Sequence, residues 1–185
     1  HAGRKLTNAT PSQRCKMSRD SDGFQNWLFD GLTQYMQGLW TMVQPYAVWI
    51  VYKHVALGAA GVHDYVFDGG AAAASLISDS TPQSNITAGT PLASASVIAN
   101  GAYTYAWLQF NGATSVIRAN GAQTAAGAAG AGNPGGFTLG AKLDGTRSTN
   151  LAVREIGLYS AIPTAAEAAR MELNATQFYN GTAWG

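Results

Sequence analysis

The chain is poor in cysteine and in charge. Cys15 is the single cysteine among 185 residues, so no intrachain disulfide can form and no cysteine cluster can hold zinc. Charged residues make up 11% of the chain and the formal net charge is +1, against about 25% charged residues in a typical soluble domain. This composition excludes a disulfide-stapled scaffold. It also argues against a nucleic-acid-binding protein whose affinity comes from overall positive charge.

Long apolar runs are also missing. The longest, residues 46–62, is interrupted by Lys53 and His54, and it falls short of the roughly 20 residues that a membrane-spanning helix needs. The scarcity of Lys and Glu excludes a coiled coil over most of the length, because such helices carry charged flanking positions. We therefore expect a soluble protein without a membrane partner, with one domain core and short appendages.

Short β-branched and aromatic runs separated by turn residues follow one another from Phe24 onward. Residues 46–52, Tyr-Ala-Val-Trp-Ile-Val-Tyr, are too few for a lone helix and are typical of a buried strand. The Ala- and Gly-rich segment 121–136 is expected to be a loop. Further strands are predicted at 65–67, 75–78, 95–98, 103–110, 114–118, 137–140 and 151–159.

Turn and cap signals complete this pattern. Asn-Gly pairs at 100–101, 111–112 and 120–121 separate strand-like runs and predict a series of antiparallel hairpins, since type I′ turns need positive φ at both central residues. Thr164 and Glu167 form a capping box after a proline and predict one helix over residues 164–174. The sequence thus predicts an all-β antiparallel sandwich with one short C-terminal helix.

The first 23 residues differ from the rest in composition. They carry five of the eleven basic residues, namely Arg4, Lys5, Arg14, Lys16 and Arg19. Such a segment is either a solvated tail or an arm that orders against a partner surface. We therefore divide the chain into a basic N-terminal arm, 1–23, and a domain, 24–185, and take Arg14, Lys16 and Arg19 as candidate partner-binding residues that would bond to carboxylates.

Residues near both ends of the domain carry a resemblance to a known family. The opening residues are Leu28-Phe29-Asp30-Gly31, Tyr35-Met36 and Gln44-Pro45, which lead into the strand that ends at Lys53. The closing residues are 136–141, Asp144-Gly145, 154–160 and 164–167. Together these resemble a concanavalin A-like, laminin-G-like jelly-roll domain over about residues 24–179, which implies a jelly-roll sandwich.

This resemblance implies more about fold than about function. The sandwich hosts lectins, glucanases, adhesion modules and phage structural proteins. Alanine-rich, charge-poor versions with this ending resemble those found in virion proteins of tailed bacteriophages. Two functions are therefore carried forward from the sequence, one structural and one in saccharide binding.

Catalytic residues are not expected. Glycoside hydrolysis needs two carboxylates about 5 to 9 Å apart across one cleft, and no strand offers a pair of acids at suitable spacing. Glu155 is interpreted as a structural acceptor for backbone or for Arg154 or Arg147. His63 and Asp64 could orient a base, but no serine lies in a G-x-S-x-G motif. We therefore expect no enzymatic activity.

Cofactor and metal signals are equally weak. Residues 130–135 match G-x-G-x-x-G, but a strand rather than a helix follows, so no dinucleotide cofactor is expected. The resemblance admits calcium, because some laminin-G-like domains bind it through loop aspartates, and Asp64, Asp68 and Asp79 are the candidates here. Their interpretation as turn-forming residues is preferred, and no metal is predicted.

Three aromatic residues are the best candidates for a ligand surface. Tyr103, Tyr105 and Trp107 alternate along one predicted strand and therefore share one face of the sheet. They either form a stacking surface for sugars or fill the core, and the core is favoured. With Asp64 they are the candidate carbohydrate-binding residues.

The first function predicted is that of a non-enzymatic surface protein of a phage virion, either a capsid decoration or cement protein or a fibre component. In this hypothesis the protein is a homotrimer on the virion surface, and its basic arm contacts the major capsid protein or the fibre shaft. The alternative is a carbohydrate-binding module that recognises a host surface glycan. Neither function requires a cofactor or nucleic acid.

Overall fold

The computed structural model describes residues 5–56, 64–70, 75–78, 83–97 and 99–180. A short 3-10 turn, Pro11–Gln13, precedes the strands, and one α-helix, α1, occupies Ala165–Tyr179. No helix in the described ranges is long and apolar enough to cross a membrane. The strands are β1 Lys16–Arg19, β2 Gln25–Asp30, β3 Met36–Gly38, β4 Tyr46–Ala56, β5 Asp64–Asp68, β6 Ser75–Ser78, β7 Gln83–Thr87, β8 Pro91–Val97, β9 Tyr103–Phe110, β10 Ser115–Ala119, β11 Ala122–Gly127, β12 Phe137–Leu139 and β13 Asn150–Tyr159.

The strands form two antiparallel sheets. The seven-stranded sheet has the order β1-β2-β13-β4-β9-β10-β11, and the six-stranded sheet has the order β3-β12-β5-β6-β7-β8. This arrangement confirms the predicted all-β sandwich with one short C-terminal helix. Each strand predicted from the sequence has a counterpart in these sheets.

The central strand β4 explains why residues 46–52 are apolar throughout. Val48, Ile50 and Tyr52 belong to the main core, which also contains side chains of the six-stranded sheet. Trp49 and Val51 belong to a second cluster on the opposite face, beneath α1. A strand that is covered on both faces has no polar side to alternate with its apolar one.

Helix α1 lies on the outer face of the seven-stranded sheet, which is the face turned away from the main core. Its N-terminus has the predicted capping box, in which Thr164 and Glu167 each accept from the backbone N–H of the other. Glu172 is buried and accepts two hydrogen bonds from Arg118, at 2.9 and 3.0 Å. The helix continues five residues past the predicted end at Asn174, because Tyr179 packs its ring against Phe24.

The three Asn-Gly pairs lie in different kinds of connection between strands. Asn120 and Gly121 both have positive φ, 51° and 86°, and join β10 to β11 as a two-residue hairpin, which confirms that prediction. The pair at 111–112 joins β9 to β10 within a longer turn. The predicted hairpin at 100–101 is wrong, because β8 and β9 belong to different sheets and the pair lies in the connection between them.

Two segments that lack a strand-like pattern nevertheless form edge strands. The Ala- and Gly-rich stretch expected as a loop contributes β11, and the basic segment expected as an arm contributes β1, which pairs with β2. The sandwich therefore begins before the expected boundary at residue 24. Edge strands are held by backbone hydrogen bonds, so their exposed side chains show little apolar alternation.

Candidate functional site

A polar and aromatic pocket lies on the outer face of the seven-stranded sheet, beside the C-terminal end of α1. Its volume is about 390 Å³. The turn between β1 and β2, strands β9 and β13, the β10–β11 turn and α1 each contribute to its wall. We call it the Arg154 pocket, and its lining residues are Asp22, Tyr103, Tyr105, Asn120, Arg154, Thr176, Tyr179 and Asn180.

Arg154 is the central side chain of this pocket. It occupies a bulge of β13, because Val153 pairs with Tyr52 and Glu155 with Val51, so Arg154 itself has no partner across the β4 ladder. Its side chain is only 3% exposed. The bulge thus directs a buried cation onto the outer face of the sheet.

The Arg154 guanidinium is surrounded by rings and carboxylates. Its central carbon lies 3.7 Å from the ring centroid of Tyr103 and 5.0 Å from that of Tyr179. Its Nη2 donates to Asp20 at 3.0 Å and also to Asp22. Cation–π contacts and charge-assisted hydrogen bonds of this kind are strongest where water is excluded.

Asp20 connects a tyrosine and two cations of this site. It accepts hydrogen bonds from the Tyr103 hydroxyl and from Arg154, and Lys53 Nζ lies 3.4 Å away. Burial by itself would raise the pKa of Asp20, but these bonds together lower it below its ordinary value. Burial and the bond to Asp20 raise the pKa of Tyr103. The carboxylate is therefore charged and the phenol neutral near neutral pH.

Several polar groups remain open to a ligand at the rim. The Asn120 Oδ1 accepts from the Tyr105 backbone N–H at 2.9 Å, so the side-chain amide nitrogen is the group that Asn120 can offer. Asn180 is exposed at the end of α1. The Asp22 side chain is 45% exposed. The pocket therefore presents amide donors, a carboxylate acceptor and phenol rings.

Tyr179 also lines the pocket. Its hydroxyl donates to Glu155 at 3.5 Å, and burial, with the nearby charge of Glu155, raises the pKa of Tyr179 to about 12. Glu155 is thus an acceptor, as the sequence predicted, but its described partner is Tyr179 rather than either arginine. The carboxylate partners of Arg154 are instead Asp20 and Asp22.

The structure separates the candidate carbohydrate-binding residues. Tyr103, Tyr105 and Trp107 do share one sheet face, and Tyr103 and Tyr105 line the Arg154 pocket. Trp107 is fully buried and lines a neighbouring pocket of about 440 Å³ with Tyr159. Asp64 is buried at the start of β5 in the other sheet, so it is not brought together with the aromatic residues.

The other sequence candidates lie apart from this pocket. Asp68 accepts from the backbone N–H groups of Gly70 and Leu143, at 3.1 and 2.8 Å, which is a bonding pattern that stabilises turns. Asp79 and His63 lie outside the described residues. Among the residues that are described, no group of three or more His, Cys, Asp or Glu side chains is placed to hold a metal ion.

The basic residues expected to bind a partner differ in their contacts. Arg14 donates through Nε to the Asn8 carbonyl oxygen at 2.8 Å, within the same segment. Asn8 in turn donates through Nδ2 to the Tyr35 carbonyl oxygen at 3.1 Å. Lys16 and Arg19 are exposed on the edge strand β1. Lys16 and Arg19 therefore present their charge at an edge of the seven-stranded sheet, and Arg14 is exposed as well.

Sequence reasoning missed most of the Arg154 pocket. Asp20 and Asp22 are two residues apart in the sequence, but they fall within the segment 1–23 that the sequence predicts as an arm. A lone arginine within the apolar run 151–159 was the other available signal, because a buried cation requires carboxylate partners. Nothing local indicated the contribution of Asn120.

Comparison with known proteins shows similarity in fold. Neither a family model nor a curated protein sequence matches the chain. Domain 4 of AbnA, a GH43 extracellular arabinanase from Geobacillus stearothermophilus, in complex with arabinotriose, superposes with a TM-score of 0.66 at 13% identity, over 91% of this chain and 87% of that one. Native heptameric SAP-like pentraxin from Limulus polyphemus gives 0.56 at 14% identity, over 89% and 84%.

A larger enzyme is also similar over part of its length. Trypanosoma rangeli sialidase in complex with the inhibitor DANA gives a TM-score of 0.63 at 14% identity over 85% of this chain. This chain spans 28% of the length of that sialidase. At such identities the likeness shows the fold alone, which is a lectin-like β-sandwich related to the concanavalin A-like fold.

Proposed function

We propose that this chain is a non-enzymatic carbohydrate-binding domain and that the Arg154 pocket is its saccharide site. The observation that carries this proposal is the pocket itself, in which phenol rings, amides and a carboxylate converge on one face of a lectin-like sandwich. Saccharides bind where rings stack on their apolar C–H faces and polar side chains bond their hydroxyl groups. The volume of about 390 Å³ lies within the range of small-ligand sites, about 300 to 1,000 Å³.

The similar proteins support the same proposal. The arabinanase domain covers nearly the same length as this chain, and its structure holds arabinotriose. A sandwich of this size can therefore bind an oligosaccharide as a domain within a larger enzyme. For the present chain the ligand class rests on the pocket, since the fold by itself hosts many functions.

The absence of catalysis in this proposal follows from the state of the carboxylates at the pocket. A general acid for glycoside hydrolysis needs a raised pKa. The pKa of Asp20 is instead lowered, because hydrogen bonds from Tyr103, Arg154 and Lys53 outweigh the effect of burial. Asp20 also bonds to Arg154 at 3.0 Å, so it serves as a structural anion of the pocket.

Removing polar groups from the pocket is expected to weaken saccharide binding about tenfold. The double variant Tyr105→Phe, Asn180→Ala removes one hydroxyl and one amide, each worth about 0.5–1.5 kcal/mol as a hydrogen bond to ligand. Binding is measured by titration calorimetry with a ligand selected on a glycan array. Tyr159→Phe removes a hydroxyl from the neighbouring pocket and is the matched control, with affinity expected to remain that of the wild type.

Two results would contradict this proposal. One is the absence of binding to every glycan on the array. The other is an unchanged affinity in the double variant when its fold, checked by circular dichroism, is intact. Release of new reducing ends from the bound glycan by the wild type would contradict the non-enzymatic part alone.

We also propose, as a second candidate function, the virion surface role predicted from the sequence. The observation that favours it is the exposure of large apolar side chains between β3 and β4, where Leu39 is 80% and Val43 is 69% exposed. Apolar, charge-poor surfaces are typical of protein interfaces. In this proposal the chain forms a homotrimer on the virion surface, bound to the major capsid protein or a fibre shaft.

This second proposal is tested by oligomeric state and by charge reversal. Light scattering is expected to give a trimer for the wild type and a monomer for Leu39→Ser, Val43→Ser. Lys16→Glu with Arg19→Glu is expected to weaken attachment to particles without removing β1, which deletion of the whole segment would do. A monomeric wild type, or unchanged attachment of the charge-reversed variant, would contradict the proposal.

A further inference from the structure

We infer that the Arg154 pocket selects neutral saccharides over acidic ones, and that Asp22 is the residue that determines this selectivity. The inference rests on the proposed saccharide-binding function and adds the ligand class. Of the residues that line the pocket, Asp22 and Arg154 are the charged ones. The question is therefore which of these two charges a ligand meets.

The positive charge is not available to a ligand. Arg154 donates to both Asp20 and Asp22, and its side chain is only 3% exposed. Its planar face lies against the rings of Tyr103, Phe24 and Tyr179. A sugar carboxylate that bonded to this guanidinium would have to displace one of the two aspartates.

The negative charge is the one that faces the opening. Asp22 is 45% exposed, and it lies on a tight turn in which Gly23 N–H donates to the Asp20 carbonyl oxygen at 2.9 Å. The neighbouring Phe24 ring packs against Phe178 and Tyr179, with centroids 5.2 and 5.0 Å apart. This packing fixes the turn, so the carboxylate is held at the rim.

The charges around the pocket leave it with a net negative balance. Besides Arg154, the cation at this site is Lys53, which pairs with Asp20 at 3.4 Å. Glu155 adds a third carboxylate beneath Tyr179, whose hydroxyl donates to it. Among the described side chains in contact with Arg154, Asp20 or Tyr179, three carboxylates therefore face two cations, and a further anion would be repelled.

A neutral saccharide suits the same groups. Carboxylate oxygens accept hydrogen bonds and do not donate them, so Asp22 can bond two sugar hydroxyl groups. The amide groups of Asn120 and Asn180, which also line the pocket, supply donors for sugar oxygens. A uronate or a sialic acid would instead place its carboxylate next to that of Asp22, and like charges side by side disfavour binding.

The inference is tested on a glycan array that carries matched neutral and carboxylated versions of the same core glycans. The wild type is expected to bind the neutral member of each recognised pair at least about tenfold more tightly at low salt. Asp22→Asn has nearly the same shape without the charge, so it is expected to reduce this ratio about tenfold. The ratio for the wild type is expected to shrink at high salt, because salt screens exposed charges.

Two further variants separate charge from folding. Asp22→Glu keeps the carboxylate and is expected to retain the preference for neutral glycans. Asp144→Asn makes the same charge change on an exposed turn whose carboxylate pairs with Lys142, and it is expected to leave the ratio at the wild-type value. Both variants are compared with the wild type by thermal unfolding.

The outcomes distinguish the inference from the proposed function. Equal or tighter binding of the acidic glycans by the wild type would overturn the inference but leave saccharide binding intact. An unchanged ratio in Asp22→Asn would remove Asp22 as the determinant. Failure of the wild type to bind any member of the array would overturn the proposed function, and the inference with it.

Discussion

Replacing Arg154 with alanine is expected to lower the free energy of unfolding by about 3 kcal/mol, because the variant loses a largely buried ion pair and the cation–π contacts with three rings. Asp20 would keep its contacts with Tyr103 and Lys53 but would lose the bond to the guanidinium. The rings of Phe24, Tyr103 and Tyr179 would lose the cation that they surround. The measurement is urea unfolding followed by tryptophan fluorescence.

Arg154→Lys is the matched control for this effect. Lysine keeps the charge but lacks the planar group that bonds two carboxylates and stacks on rings. The free energy of unfolding of Arg154→Lys should therefore fall between that of the wild type and that of the alanine variant. A loss below about 1 kcal/mol in Arg154→Ala, in the range of an exposed salt bridge, would show that the pair contributes no more than a surface contact.

The pH dependence of stability should follow the same carboxylate. The pKa of Asp20 is lowered in the folded protein, where the hydrogen bonds from Tyr103, Arg154 and Lys53 overcome the effect of burial. Its contribution is therefore fully present above the ordinary aspartate pKa and is lost as the pH falls through the lowered, folded-state value. In Arg154→Ala this part of the acid destabilisation should be smaller.

Replacing Trp107 with alanine is expected to lower the free energy of unfolding by about 4 kcal/mol, in the range found for large aromatic residues in protein cores. Trp107 is fully buried. Its ring lies 5.3 Å from that of Trp49 and 5.0 Å from that of Tyr159, between centroids. Loss of the indole would leave a cavity between the seven-stranded sheet and α1.

Trp107→Phe separates a core role from a ligand-stacking role. Phenylalanine keeps much of the buried area, so the variant should fold with a smaller loss of stability and should bind saccharide as the wild type does. A folded Trp107→Phe with affinity reduced tenfold or more would show that the indole contacts ligand. A loss of less than about 1.5 kcal/mol in Trp107→Ala, typical of volume-conserving core changes, would show that the helix does not depend on this packing.

The outer face of the seven-stranded sheet shows what side-chain alternation along a strand can predict and what it cannot. Alternation along β9 correctly placed Tyr103, Tyr105 and Trp107 on one face. It could not assign them different surroundings, which depend on where α1 crosses the sheet. Trp107 lies inside the small core beneath the helix, whereas Tyr103 packs at the edge of that core and also against Arg154.

The features of this fold that follow from residue order alone are local ones. The capping box at Thr164 and Glu167, the hairpin turn at Asn120 and Gly121 and the doubly buried strand β4 each depend on residue types a few positions apart. These features can be predicted from the sequence because backbone conformation and side-chain alternation follow short-range preferences. These elements were enough to indicate an antiparallel sandwich with a terminal helix.

Which charged side chains meet depends on the order of the strands in the folded protein. Arg154 bonds to Asp20 across 134 positions of the chain, because β2 lies between β1 and β13 in the same sheet. The edge strand β1 is held to β2 by backbone hydrogen bonds, which depend little on side-chain type. The sequence therefore predicts a tail where the structure has β1 and the acidic turn that follows it. The pocket therefore depends on strand order, which no spacing of residues along the chain records.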